Sequence, residues 1–458
     1  MPPRNNVGNN VTDNDKKNEK RFKATTPGKR FFKLAGMSAS IAKNYAGNKV
    51  KGMFADEEVK KENQEAMYAD MGIRIAETLG EMKGAVMKVG QIVSQVKDLM
   101  PPEVAKALET LQKESPPMPY AMIRRQLIRS LGDEPEALFA HFEQEPFAAA
   151  SIGQVHKAIT KDGVNCIVKI QYPGVKESCD SDLKQIKRLF KMAGLVKLSK
   201  EIVDKTFDEI RDMLYEELDY NHEAENLKFF GEHYKNHPYI IVPEYIEELS
   251  SETVLTLSYV EGDSLQNVKS PKYDQDMRNT LAYRLFDTMG RQIYELQRVH
   301  CDPHPGNFAF RPDGSIIIYD FGAVKEVSDK TIRIHKSLIT DALEGKTNTL
   351  EKHLVDMGVR QSDGPDVPDS YFEEWLSIIM EPFNNDDPFD FSQSRVHTRV
   401  AKKLKKDAFK YLGAFQPSPE TMHVDRVLSG HYWTLIDLEA NISLRGLIKE
   451  ILFEGQPA

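Results

Sequence analysis

A chain of 458 residues, 40% of them hydrophobic, is long enough to bury a large core and to form two lobes or domains with extensions. Its formal net charge of −9 argues against a nucleic-acid partner, and only three cysteines, Cys166, Cys179 and Cys301, exclude a disulfide framework and suit a reducing compartment. No apolar run approaches the ~18 residues of a membrane span and no signal peptide is visible, which predicts a soluble or peripheral protein.

Residues 1–28 are rich in Asn, Asp and Lys and read as a disordered tail. Beyond them Lys29, Arg30, Lys33, Lys43, Lys49 and Lys51 occur without an intervening acid, while Leu34, Met37, Ile41 and Tyr45 recur at helical spacing. Such a basic amphipathic helix lies on an anionic membrane surface or docks on its own protein. The stretch from Glu62 to Leu99 reads as one long helix, with Met82, Val86, Val89, Val93 and Val96 in an apolar stripe and Lys88, Gln91 and Gln95 on another face. Pro101-Pro102 ends it, and helices follow over Glu103–Lys113 and Pro119–Leu131, with Pro119 as a first helical residue.

Near Phe147 the period changes to that of strands. The small residues Ala148, Ala149, Ala150, Ser151 and Gly153 lead into one, a composition that lets backbone amides approach phosphates, although alanine makes a stiffer cover than glycine. After a turn at Lys161-Asp162-Gly163, Ile167-Val168-Lys169-Ile170 is a strand in which the Lys169 ammonium requires an anionic partner. Glu216, Glu217, Asp219, Glu223 and Glu225 read as one acidic helix, where Asp219 and Glu223, four apart, repel each other and attract cations from outside. Val254–Val260 is a further strand. Helices are then expected over Met277–Val299, Thr331–Glu344, Leu350–Val359, Tyr371–Met380 and Met422–Phe453.

Between the first two of these lies the most informative stretch, His300 to Gly322. Asp313-Gly314 between two apolar runs predicts a two-residue hairpin turn, whose register pairs Asn307 with Asp320 and brings an amide and a carboxylate to one open end. One divalent cation can bridge them. Asp302, five residues before Asn307, has the spacing of the base in kinase catalytic loops, and Asp320-Phe321-Gly322 supplies the second metal ligand. Cys301 beside the base is a redox-capable thiol or a small space-filling residue.

Taken together, these motifs resemble the UbiB/AarF family of atypical protein-kinase-like proteins: Lys88-Val89-Gly90-Gln91, the alanine-rich loop, Lys169, Glu217-Leu218-Asp219 with Glu223, His300 to Asn307, and Asp320-Phe321-Gly322. The resemblance covers most of the chain from about Phe31 to its C-terminal helices. It implies an α+β, bilobal protein-kinase-like fold. That fold has a helical N-terminal extension (29–140), a β-rich N-lobe with inserted helices (141–260) and a helical C-lobe (261–458). It implies ATP and Mg²⁺ as cofactors, with Lys169 on the α/β-phosphates and paired with Glu223, Asn307 and Asp320 on the metal, and Asp302 as base or orienting residue. Ala148, Ala149, Ala150, Ser151 and Gly153 would line the nucleotide. Lys88, Gly90 and Gln91 would close the protein-substrate groove, facing Glu217 and Asp219.

The family's role implies an atypical kinase or ATPase supporting isoprenoid quinone (ubiquinone) biosynthesis or prenyl-lipid homeostasis. A prenyl lipid or quinone precursor would be a partner, and the location would be the cytoplasm or the periphery of an inner membrane. Two departures stand out. Cys301 occupies a position where alanine is expected, and the C-terminal membrane spans of some bacterial members have no counterpart here, which argues against integral membrane attachment. A small-molecule phosphotransferase and a nucleotide-binding pseudokinase scaffold are the competing functions. The first gives no reason for the Lys88–Gln91 extension, and the second is disfavoured because Lys169, Asp302, Asn307 and Asp320 are all retained.

Overall fold

The computed structural model describes Gly36, 57–82, 85–95, 100–110, 117–149, 152–192, 195, 200–407, 410–411, 413–416 and 418–453. The tail, the charged and apolar residues named between 29 and 51, and Ala150 and Ser151 lie outside this set. Two compact units form: Met1–His222 with Tyr245–Tyr259, and Glu223–Glu244 with Val260–Ala458.

The first unit begins with helices α1 (Glu57–Met82), α2 (Ala85–Gln95), α3 (Pro102–Glu109) and α4 (Tyr120–Leu131). Strands β1 (Phe139–Phe142), β2 (Ala148–Ala149), β3 (Gly153–Thr160) and β4 (Asn165–Gln171) follow, then α5 (Val175–Met192) and α6 (Lys200–Glu217). Helix α7 (Tyr220–His233) carries the chain into the second unit, where β5 (Ile240–Ile241) lies, and β6 (Val254–Ser258) returns to the first. The sheet is antiparallel in the order β1-β3-β4-β6, with β2 also paired to β3. One apolar core joins helices and sheet, from Ile75 and Leu79 through Val86, Val89 and Val93 to Val168, Ile170, Phe190 and Leu214. Helices α1 and α3 meet at backbone distance because a Cβ on Gly72 would lie 2.8 Å from the Ala107 Cβ.

The expected Glu62–Leu99 helix is two helices, the first ending at Met82 and the second beginning at Ala85, although its stripe residues Val86, Val89 and Val93 are fully buried as the periodicity requires. Pro119 stands at the N-cap of α4 rather than inside it. The acidic helix is also two. α6 ends at Glu217, and Asp219 is the residue before α7, its Oδ1 accepting the His222 N–H at 3.1 Å. An aspartate in front of a helix satisfies one of the first orphan amides, so capping replaces the expected Asp219–Glu223 repulsion.

In the second unit come α8 (Gln275–Arg291), β7 (Arg298–His300), the hairpin β8 (Phe308–Phe310) and β9 (Ile316–Ile318), and β10 (Val324–Glu326). Helices α9 (Asp329–Leu343), α10 (Leu350–Asp356) and α11 (Asp369–Ile379) lead to β11 (Phe389–Asp390), α12 (Val396–Asp407), α13 (Pro419–Asp437), β12 (Asn441–Ile442) and α14 (Arg445–Phe453). β5 runs parallel to β9, β8 antiparallel to it, and β7 pairs with β10. The expected Met277–Val299 helix therefore stops early. A π-helical turn over Gln292–Leu296 and left-handed Gln297 at φ 56° redirect the chain into β7. The expected Met422–Phe453 helix is broken where Glu439 adopts φ 52° and β12 pairs with β11. Among the described residues no helix is long and apolar enough to cross a membrane.

Candidate active site

The hairpin differs from its expected register by one residue. Phe308 pairs with Ile318 and Phe310 with Ile316, while Arg311 N–H donates to the Ser315 carbonyl at 3.0 Å. The loop is thus three residues, Pro312-Asp313-Gly314. Gly314 N–H donates to the Arg311 carbonyl at 2.9 Å, and Gly314 itself is left-handed at φ 83°. Proline's fixed φ suits the second residue of a type I turn, which in a hairpin is completed by a left-handed glycine. That preference overrides the two-residue Asp-Gly turn. As a consequence Asn307 faces Tyr319, whose N–H donates to the Asn307 carbonyl at 2.9 Å, and Asp320 is one residue beyond rather than directly opposite.

The loop before the hairpin and the segment after it are nevertheless joined a second time. β7 pairs His300 with Val324, Cys301 N–H donates to the Ala323 carbonyl at 2.7 Å, and the His300 Nε2 bonds the Asp320 carbonyl. The π-turn contributes directly, since Gln292 Oε1 accepts the His300 N–H at 3.1 Å. Within the loop, Asn307 Nδ2 donates to Asp302 Oδ2 at 2.8 Å and to the Asp302 carbonyl at 3.1 Å. Cys301 is buried and its thiol donates to the Val299 carbonyl at 3.3 Å, consistent with the space-filling alternative.

Asp320 Oδ1 accepts the Gly322 N–H at 3.0 Å. Helix α7 holds this segment along one face. Asn226 Nδ2 donates to the Phe321 carbonyl at 3.0 Å, Phe230 stacks on Phe321 with ring centroids 4.8 Å apart, and the buried Glu223 carboxylate lies about where a Cβ on Gly322 would meet it, 3.8 Å away. Glycine at 322 keeps that corner open to both carboxylates. Positions 223, 226 and 230 are spaced as one helical stripe, yet only Glu223 is evident from the sequence. Nothing local distinguishes Asn226 and Phe230 from ordinary helix residues.

In the first unit, Lys169 sits mid-strand in β4, between Val155 and Leu255, with its ammonium 5.5 Å from the centroid of the Tyr220 ring. Gln171, two residues on, donates its side-chain amide to the Leu218 carbonyl at 3.0 Å, tying this strand to the corner between α6 and α7. Ala148 and Ala149 form β2, pairing with Val155 and Gln154, so they occupy extended backbone that alanine accepts without strain. Gly153 is dictated by close approach, as a Cβ there would lie 2.6 Å from the Ile170 carbonyl oxygen. The neighbouring Gln154 is buried and structural. It accepts the Met118 N–H at 2.8 Å and bonds His156, whose other ring nitrogen bonds the Glu143 carbonyl and whose pKa is lowered by burial.

Lys88 on α2 makes an ion pair with Glu217 at 2.5 Å, both side chains being half-buried, while Gly90 is fully buried and Gln91 partly so. Asp219 is exposed and occupied as a helix cap, and among the described residues it is Glu217 that pairs with Lys88. Asp302, Asn307, Asp320 and Glu223 belong to the second unit, and Lys169, Lys88, Gly90, Gln91 and Glu217 to the first.

Comparison with known proteins fits this arrangement. The chain is 31% identical to the mitochondrial atypical kinase coq-8 of Caenorhabditis elegans over 82% of its own length, and spans half the length of that relative. It is 29% identical to the mitochondrial atypical kinase COQ8 of Saccharomyces cerevisiae, with 92% of this chain and 84% of the relative covered, and 26% identical to the probable serine/threonine-protein kinase abkA of Dictyostelium discoideum, with 90% and 77% covered. The solved structure of the Rv3197–erythromycin complex from Mycobacterium tuberculosis superposes with a TM-score of 0.62 at 29% identity, covering 88% of this chain and all of that one. Residues 110–354, more than half of the chain, match the ABC1 atypical kinase-like domain. This α+β chain with a kinase-like fold belongs to the ABC1 atypical kinase-like family, within the UbiB group that its motifs resemble.

Proposed function

We propose that this protein binds Mg-ATP and transfers or hydrolyses its terminal phosphoryl group in support of isoprenoid quinone biosynthesis. The observation that carries the reading is the Asp302–Asn307 hydrogen bond within a loop whose backbone is tied to Asp320 through His300. Asn307 donates through Nδ2, which turns its carbonyl oxygen away from Asp302 and toward a role as metal ligand. With the Asp320 carboxylate it forms a hard oxygen donor pair, the kind of small protein contribution that Mg²⁺ accepts when phosphates and water complete its shell. When bound, Mg²⁺ neutralises charge on the β- and γ-phosphates. Asp302 orients or deprotonates the attacking oxygen, Lys169 engages the α/β-phosphates, and the Ala148–Gly153 segment covers them.

The relatives' names place them in mitochondria, and the quinone link comes with the COQ8 likeness. On that basis the site of action is the surface of an inner membrane, where a prenyl lipid or quinone precursor is the partner. The Lys88–Glu217 ion pair supports a helix fixed over the groove that a protein substrate would need. Generic proteins are then poor acceptors.

A thermal-shift titration with Mg-ATP tests the reading. The wild type is stabilised and turns ATP over, whereas Asp320→Asn loses most of the stabilisation because the cation loses half of its protein ligands. Equal stabilisation of both proteins at every ATP concentration refutes the metal assignment. Stabilisation of the wild type without turnover, with or without anionic liposomes and a quinone-headgroup phenol, favours a pseudokinase scaffold instead.

A further inference from the structure

The loop from His300 to Asn307 contains no lysine or arginine. Its one other histidine, His304, is exposed, and its Nδ1 accepts the Gly306 N–H at 3.0 Å. A transferring phosphoryl group spreads charge over three oxygens and is stabilised by fixed cations, so such a loop needs a permanent positive group from elsewhere. Helix α13, more than a hundred residues later, brings one. Arg426 Nη2 lies 3.7 Å from Asp302 Oδ1, the oxygen left when Asn307 takes Oδ2.

This placement is built into the packing. One turn along the helix, a Cβ on Gly430 would fall 2.0 Å from Pro303 Cγ, so the Pro303 ring lies directly against the helix backbone. The adjacent His431 is buried with its ring centroid 5.5 Å from that of Phe308, the residue after Asn307. Arg426, Gly430 and His431 therefore meet Asp302, Pro303 and Phe308. Packing alone needs only the last two helix positions. Arg426 is 54% exposed and Asp302 36%, and at 3.7 Å the pair is longer than a hydrogen bond, so it contributes little to stability. A guanidinium has five donors in a planar fork, of which the carboxylate engages few.

We propose that Arg426 is the cation of the transfer site, donating to the oxygens of the transferring phosphoryl group while facing Asp302. This rests on the nucleotide reading above. In the step, the attacking oxygen bonds the γ-phosphorus as the bond from that phosphorus to the β–γ bridging oxygen breaks. The electron pair leaves with ADP, and the proton of the attacking oxygen passes to Asp302. Arg426 makes and breaks no covalent bond.

The test compares full-length wild type, Arg426→Gln and Arg426→Lys in three measurements: Mg-ADP affinity, Mg-ADP affinity with aluminium fluoride as the phosphoryl mimic, and ATP turnover. Arg426→Gln is expected to bind Mg-ADP as the wild type does and to keep its melting temperature. Its affinity for the fluoride complex and its turnover both fall, on the order of 100-fold, with Arg426→Lys intermediate. A merely structural arginine would weaken Mg-ADP and its fluoride complex equally, and that result overturns the proposal. So does a glutamine variant with wild-type fluoride binding and turnover. A wild type that binds no Mg-ADP under any condition sinks the nucleotide reading itself, and this inference with it.

Discussion

At the scale of single residues, the candidate site rests on buried groups whose ionisation is constrained. His431, behind the loop, has its pKa pushed down from 6.5 to about 3, first by burial and then by the charge of His300. The folded protein therefore keeps it neutral while the unfolded chain protonates it below about pH 6.5, so its contribution is fully present above that pH and is lost as pH falls toward 3. Between pH 7 and 5 this single group is expected to remove about 2 kcal/mol of stability. Urea unfolding at the two pH values checks this. His431→Gln is less stable at pH 7 but shows a shallower acid loss; buried His335, whose pKa is pushed down to about 4, and His156 and His237, whose pKa values burial also lowers, contribute to the remainder with the same sign. An unchanged acid slope in the variant would show that His431 is not held neutral by the fold.

Elements carry the next set of constraints. The stripe of α7 that grips Asp320-Phe321-Gly322 places the fully buried Phe321 ring against Phe230, so Phe321→Ala removes packing worth about 3–5 kcal/mol and is expected to unfold at correspondingly lower urea. A loss below about 1 kcal/mol would mean that the ring is not clamped. The Lys88–Glu217 pair joins α2 to α6 in a partly wet environment, with side-chain exposures of 23% and 37%. A double-mutant cycle with Lys88→Ala and Glu217→Ala is expected to yield a coupling of about 0.5–1 kcal/mol, the upper range for pairs open to solvent. A coupling indistinguishable from zero would leave α2 held by its buried valines alone.

For the whole molecule, nucleotide binding and stability are linked. Free Mg-ATP at a hundred times its dissociation constant should add about 2.7 kcal/mol to the unfolding free energy, because the unfolded chain has no assembled site. Removing magnesium with a chelator at the same ATP concentration should abolish most of that gain, since in the proposed site Asn307 and Asp320 would hold the nucleotide only through the cation. Calorimetric melts with and without chelator measure the difference. Stabilisation by ATP that survives chelation would argue for a metal-independent nucleotide site.

The sequence by itself determined the family and much of the order of elements. Lys169 lies in a strand, Asp302 stands five residues from Asn307, and the valine stripe of α2 is buried, all consequences of short-range periodicity and motif spacing. Local rules also misled where two of them competed: Pro312 shifted the hairpin by one residue, and Asp219 capped α7 instead of sitting within a longer helix. The β7–β10 pairing, the hold of Asn226 and Phe230 on Phe321, and the approach of Arg426 and Gly430 to the Asp302 loop were decided by tertiary structure alone. These contacts join residues tens to more than a hundred positions apart. Such pairings depend on which surfaces remain to be buried once neighbouring elements have packed, and no local pattern of residues encodes that.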